Sequence, residues 1–241
     1  MQPSVSLTFS NARAYEAGTN VSPSYTAKFN AGSYTYGPET GVTVTSWSVS
    51  DGTTTLTAAS GSFSDFRVKT NTHYKITATA NHTEGASAKD NLGSTTTIKI
   101  AAGSKSATSG EITGYNQGYF IGTLTDVVAA ASLSSKQIRS LTKKPNSSTS
   151  TGSISITVPV GAATVVIAAK GTRTLSKVLN TTVNADMTTS FVKAENIKVY
   201  GADANTSTGT GDDAYAATYT VWTFSPAEPY GSTANLTITL A

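Results

Sequence analysis

The feature that most constrains this chain is an alternation of apolar with hydroxyl side chains that returns from one end to the other. Near the start, Val5, Leu7 and Phe9 stand between Ser4, Ser6, Thr8 and Ser10; at the close, Leu236, Ile238 and Leu240 alternate with Thr237 and Thr239. Successive side chains of a β-strand point to opposite faces, so this spacing leaves one face to bury and one to hydrate. Similar runs cover Ser24 to Asn30, Val42 to Ser50, Thr53 to Ala58, Phe63 to Lys69, His73 to Asn81 and Thr95 to Ala101. Turn-forming residues separate them at Gly37-Pro38, Asp51-Gly52, Ser60-Gly61, Glu84-Gly85 and Asn91-Leu92-Gly93. Seven short strands so spaced predict an immunoglobulin-like β-sandwich. Within Val42 to Val49 the apolar parity changes between Val44 and Trp47, which predicts a bulge or a strand that changes sheets. Trp47 is expected at the centre of this first core.

The small-residue stretch from Ala101 to Gly114 reads as a linker or crossing loop. The fold expected is therefore all-β, two tandem immunoglobulin-like β-sandwich domains over residues 1–103 and 104–241, the second with one short helix near 134–143. That helix is predicted by Ser134 as N-cap with Gln137 three residues on, Ile138 and Leu141 on one face, and Pro145 beyond the end. Val127 to Ala131 extends it or leads into it. Strands are expected at Ser153 to Val160, Ala163 to Ala169, Thr189 to Tyr200, Tyr215 to Phe224 and Asn235 to Leu240. Pro159 and Gly161 break one expected hairpin; Pro226, Pro229 and Gly231 form the turn of a closing one, which joins the strand bearing Trp222 to the terminal strand.

Only 13% of the 241 residues are charged, where an ordinary soluble domain has about a quarter. Hydroxyls and amides must supply most of the polar surface. A net charge of +3 gives no argument for a nucleic-acid partner, and no stretch is apolar enough to span a membrane. The lack of cysteine rules out disulfides and thiolate metal sites. The opening residues lack the basic and apolar regions of a signal peptide, so folding in a cytoplasm is expected. The Asn-x-Ser/Thr triplets at Asn20, Asn81, Asn146, Asn180, Asn205 and Asn235 then follow from composition alone.

Catalytic signals are sparse, and no catalytic residue, cofactor or metal is assigned. His73, opening a strand, and His82, in a polar loop past its end, read as edge or surface histidines. No serine sits in Gly-x-Ser-x-Gly, and no phosphate-binding glycine loop occurs. One oxygen-rich stretch, with Asp203, Asn205, Ser207, Asp212 and Asp213, invites a calcium test. Thr208 and Ala214 stand where an EF-hand loop needs Gly and Glu, and a Gly/Thr hairpin tip is the better reading. Lys136, Arg139, Lys143 and Lys144 make the helix segment basic, which reads as a solvated face with cations near its C-terminal end rather than as a docking site.

The stretches "YTAKFNAGSYTYGPETGVTVTSWSV", "HYKITATANH", "AAGSKSATSGEITGY", "ISITVPVGAATVVIAA" and "YTVWTFSPAEPYGSTANLTITL" resemble virion structural proteins of crAss-like tailed bacteriophages, over about Tyr25 to Ala241. The resemblance implies a non-enzymatic subunit of the virion, assembled in the host cytoplasm, of the head-fibre or auxiliary capsid decoration type. A tail- or collar-associated role is the alternative. It implies capsid or other virion proteins as partners, a homo-oligomer (dimer or trimer), host-surface or mucus glycans as further partners, and neither nucleic acid nor membrane. The second domain, through its closing hairpin and the loop from Ala202 to Asp213, is expected to make the particle contact while the first projects. From another class, a carbohydrate-binding adhesin module would stack sugar on Trp222, Tyr219, Tyr230 or Tyr119. A hydrolase would need a paired-carboxylate cleft that no spacing suggests.

Overall fold

The computed structural model describes residues 2–36, 40–142, 152–171 and 173–241. The described residues are built mostly of β-strands in several sheets, with one short α-helix among them. In chain order the strands of the first half are β1 (Ser4–Phe9), β2 (Ala14–Glu16), β3 (Asn20–Val21), β4 (Ser24–Asn30), β5 (Val44–Ser50), β6 (Thr55–Leu56) and β7 (Ser60–Ser62). They continue with β8 (Phe66–Arg67), β9 (His73–Tyr74), β10 (Thr77–His82), β11 (Gly103–Thr108) and β12 (Ile112–Tyr115). The second half holds β13 (Tyr119–Leu124), the helix α1 (Ser135–Ser140), β14 (Gly152–Val158), β15 (Thr164–Lys170) and β16 (Leu175–Asn180). It ends with β17 (Ala185–Asp186), β18 (Val192–Val199), β19 (Ala217–Phe224) and β20 (Ala234–Leu240).

By contact the chain forms two compact units: residues 1–14, 20–66 and 72–113 in the first, and 15–19, 67–71 and 114–241 in the second. This partition differs from a cut at 103/104 because residues 104–113 stay with the first unit and the two short segments 15–19 and 67–71 pack with the second. The expected linker is not one. Its residues Gly103–Thr108 are strand β11, paired along its whole length with β10. Small side chains there reflect a strand with little to bury rather than a flexible connection. Thr95 to Ala101, read as a strand, is not one: it makes an isolated bridge between Thr95 and Lys89 and scattered backbone hydrogen bonds to Gly85 and Ala88 rather than a ladder.

In the first unit, sheet β1-β4-β7 and sheet β11-β10-β5-β6 share one core. Val5, Leu7 and Phe9 of β1 and Tyr25 and Ala27 of β4 meet Val49 of β5 and Ala78 of β10, with Phe63 and Ile76 between. The alternation in β1 and β4 is thus the alternation of core and water. Opposite His82, the β5 register jumps from Ser46 to Val44, so Thr45 is an extra residue. This is the bulge that the change of parity predicts. Trp47 is half-buried at the margin of the core; Val49, Ile76 and Ala78, each fully buried, form its centre.

The second unit stacks three layers. Sheet β13-β15-β19-β18 faces sheet β14-β20-β16-β17 across a core of Ile121, Val165, Ile167, Trp222, Leu236 and Ile238. On its other face Phe120, Val166, Ala168 and Val221 are covered by Leu133, Ile138 and Leu141 of the helical segment. The run Val165-Val166-Ile167-Ala168-Ala169 is apolar without alternation because β15 is covered on both faces, and all five residues are fully buried. β20 has one covered face and keeps strict alternation. It lies between β14 and β16, so the terminal strand is central.

The closing hairpin does not form. β19 pairs with β15 and β18 in one sheet, while β20 pairs with β14 and β16 in the other. Ser225 to Thr233, with two prolines, is a crossover between sheets, and Trp222 meets Leu236 across the core rather than along a ladder. Pro159 to Gly161 likewise joins β14 to β15 across sheets. A proline-broken connection of several residues does not impose the tight register that a two-residue turn does.

Candidate functional site

A cluster of partly and fully buried polar groups lies in the second unit, beneath α1. The capping box forms as its spacing predicts: Ser134 Oγ accepts from Gln137 N at 3.3 Å, and Gln137 Oε1 accepts from Ser134 N at 3.0 Å. With Ile138 and Leu141 pinned in the core, Arg139 is directed inward, and its side chain is only 24% exposed. Its guanidinium donates to Glu16 Oε1 at 2.6 Å and to the Tyr200 carbonyl at 2.8 Å. Arg139 therefore departs from the solvated basic face expected of it. Lys136 donates to the Ser207 carbonyl at 2.9 Å; Lys143 and Lys144 lie outside the described residues.

Around this pair the network closes. Gln117 Nε2 donates to the second Glu16 oxygen at 3.3 Å, and the Tyr219 hydroxyl donates to the Gln117 carbonyl at 2.7 Å. Asn116 Nδ2 donates to the Tyr215 carbonyl at 3.1 Å and its Oδ1 accepts from the Thr70 hydroxyl. Burial, and then the Glu16 charge, push the Tyr219 hydroxyl far above the ordinary phenol range. The same two causes, in the same order, raise Tyr115. Both phenols thus stay protonated, Tyr219 as a donor, and both Glu16 oxygens are spent as acceptors. The arrangement fastens the 15–19 segment, α1 and the 114–119 segment to one another.

The oxygen-rich stretch turns its donors on itself. Asp203 has a side chain 1% exposed; its Oδ2 accepts from Asp212 N at 2.7 Å, with Arg67 at 3.9 Å. Gly18, at φ 91°, lies against the other carboxylate oxygen, where a Cβ would stand 2.5 Å away. Asn205 Oδ1 accepts from Ser207 N and Thr208 N at 2.8 and 3.1 Å, which closes the loop locally. Asp213 points elsewhere, to Lys198 at 3.0 Å, and that hydrogen bond holds its carboxyl below the usual range. Among the described residues no three His, Asp or Glu side chains gather as a metal site, and no helix is long and apolar enough to cross a membrane.

Other residues singled out in the sequence are dispersed. His73 Nδ1 lies 3.2 Å from Glu111 at the surface. His82 departs from the polar loop expected of it: it ends β10, is buried, and packs its ring 5.6 Å from that of Phe29. Trp222, Tyr219 and Tyr119 are core residues, and Tyr230 packs half-buried against the same core. These four give no aromatic platform. What the sheets do present is hydroxyl. On the outer face of β10 and its neighbours, Thr77, Thr79 and Asn81 stand between Ser50, Ser48 and Ser46 on one side and Thr108, Ser106 and Ser104 on the other. These nine positions carry no charge and hydrogen-bond across strands, as between Thr79 and Ser106 at 2.8 Å and Asn81 and Ser46 at 2.9 Å.

Glu16, Gln117 and the burial of Asp203 have no local sequence signal, since Glu16 and Arg139 are 123 residues apart. Comparison with protein-family models, with curated proteins and with solved structures finds no match.

Proposed function

We propose that this is a non-enzymatic structural subunit of a bacteriophage virion, most specifically a head-fibre or auxiliary capsid decoration protein, made of two immunoglobulin-like sandwiches. The observation that carries this reading is the use of the buried ionisable groups: Glu16, Arg139, Asp203 and Tyr219 fasten loops within the second unit. The uncharged hydroxyl face of β5, β10 and β11 suits a subunit that displays a hydrated, weakly charged exterior. Sheets of three and four strands around one core support the immunoglobulin-like reading of the first unit. The resemblance of five stretches to crAss-like phage virion proteins supplies the particle.

The test is immunogold labelling of purified host particles with antibody to this chain. Gold on the capsid is the expected result; gold on the tail would transfer the protein to the collar or tail, and label found only in the unassembled lysate fraction would overturn the reading.

A further inference from the structure

We propose that β14 is a self-pairing edge: two copies of this chain join antiparallel through it, Ser155 against Ser155, into a two-fold dimer with one sheet continuous across both copies. Every second N–H and C=O of an edge strand points away from its one neighbour, and such a row accepts a further strand unless something blunts it. The two sheets of the second unit end in β13 and β18 and in β14 and β17. β18 carries Lys193, Glu195 and Lys198 and bulges between Ala194 and Ile197. β17 is two residues long, and β13 is buried from Tyr119 to Gly122. β14 has none of these protections. Its seven residues carry no charge and no proline and stay in register with β20 throughout, and among the described residues β20 is its one ladder partner.

The sequence of β14 selects a second copy as the occupant. Full antiparallel overlap of Gly152–Val158 on itself is centred on Ser155 and sets Ile154 opposite Ile156 and Ser153 opposite Thr157. Side-chain parity survives, so core-facing residues meet core-facing residues and hydroxyls meet hydroxyls. Ser153, Ser155 and Thr157 are exposed, and Ser153 and Thr157 already hydrogen-bond to Thr239 and Asn235 of β20 on the strand's other side. Ile154 is only partly buried, whereas Ile156 is 7% exposed; the partner strand covers what Ile154 leaves open. β1, six uncharged residues at an edge of the first unit, fails the same test, because its full overlap sets Val5 against Thr8, apolar against hydroxyl. With no charge, β14 neither repels its own copy nor recruits a charged partner. A pairing through one strand is smaller than the interfaces of about 1,200–2,000 Å² that hold stable complexes, so the dissociation constant is about 1–100 µM.

The experiment is sedimentation equilibrium of the purified full chain between about 1 and 200 µM. A reversible monomer–dimer equilibrium is expected; a monomer throughout, or a trimer, would overturn the proposal. Ser155→Lys sets like charges against each other at the two-fold axis and should weaken the dimer at least about tenfold, with the urea transition unchanged. Mixing this variant with Ser155→Glu should restore dimers holding one copy of each, which a variant damaged only in its fold would not do. Ser155→Cys should cross-link on mild oxidation, because opposed Cα atoms lie about 4.5–5.5 Å apart, within reach of a disulfide, and the chain has no other cysteine. Ser153→Cys should not, since in this register it faces Thr157 and its own counterpart stands about 13 Å along the strand. A dimer indifferent to Ser155→Lys, no rescue in the mixture, or equal cross-linking of the two cysteine variants would each overturn the proposal. The pairing does not rest on the virion reading, and the isolated chain suffices to test it, so its failure leaves that reading untouched.

Discussion

Cutting the Glu16–Arg139 pair is the most direct test of how the second unit is held together. Glu16→Ala removes a carboxylate that is 17% exposed and leaves a guanidinium that is 24% exposed with only the Tyr200 carbonyl as a described acceptor. Breaking a fully buried pair costs about 3–5 kcal/mol, and an exposed one about 0–1 kcal/mol; the partial exposure here places the loss at about 2–3 kcal/mol. Gln117 Nε2 loses its acceptor as well, which adds about 1 kcal/mol. Arg139→Ala should cost a similar amount, and the double variant about 1.5–2 kcal/mol less than the sum, because the second change removes a charge already stranded. The assay is urea unfolding of the full chain in a Trp47→Phe background, where Trp222, the remaining one of two tryptophans, reports from the core of the second unit. Since the pair is largely shielded, the coupling should persist at high salt. Single-variant losses below about 0.5 kcal/mol, or strict additivity, would refute the assignment of this network as a structural lock.

Further expectations follow from the same structure. A fragment from Gly114 to Ala241 lacks Glu16, Ala17 and Val68, the last two fully buried, and should unfold without cooperativity in urea, whereas a sharp transition would show that the 15–19 and 67–71 segments are dispensable. Leu236→Ala, in the central strand β20, should cost about 2–5 kcal/mol, and deletion of Ser232 to Ala241 should abolish the second unit's thermal transition; a truncated chain that keeps it would refute the central placement. Trp222→Ala should cost about 3–5 kcal/mol and Trp47→Ala distinctly less, with iodide quenching Trp47 more strongly; equal quenching would restore Trp47 to the core's centre. At acid pH, burial raises the Asp51 carboxyl, but hydrogen bonds from Thr54, Thr53 and Tyr74 outweigh it and hold the group below its ordinary value. Its stabilising contribution is therefore complete above about pH 5 and is lost as pH falls through the depressed folded value, so Asp51→Asn should flatten the acid limb of a stability profile, and an unchanged limb would remove Asp51 from that role.

The sequence by itself determined what is local. Period-two alternation placed β1, β4, β14 and β20 to within a residue or two, because it records which side of a strand meets water. The Ser134/Gln137 spacing set the start of α1, and the parity change between Val44 and Trp47 bracketed the irregularity that the structure resolves as a bulge at Thr45, since a cap and a bulge depend on near neighbours. Only the tertiary structure decided which strand lies opposite which. An alternating strand states that one face is buried but not by what, so the sequence joined β19 and β20 in a hairpin that the fold divides between two facing sheets. For the same reason the ladder that makes a strand of Gly103–Thr108 was invisible, since its partner β10, and not its own side chains, holds it in place. The polar lock was hidden most completely: Glu16 and Arg139 become a pair only when capping, core burial of Ile138 and docking of the 15–19 segment coincide, and the last two act through contacts remote in the chain.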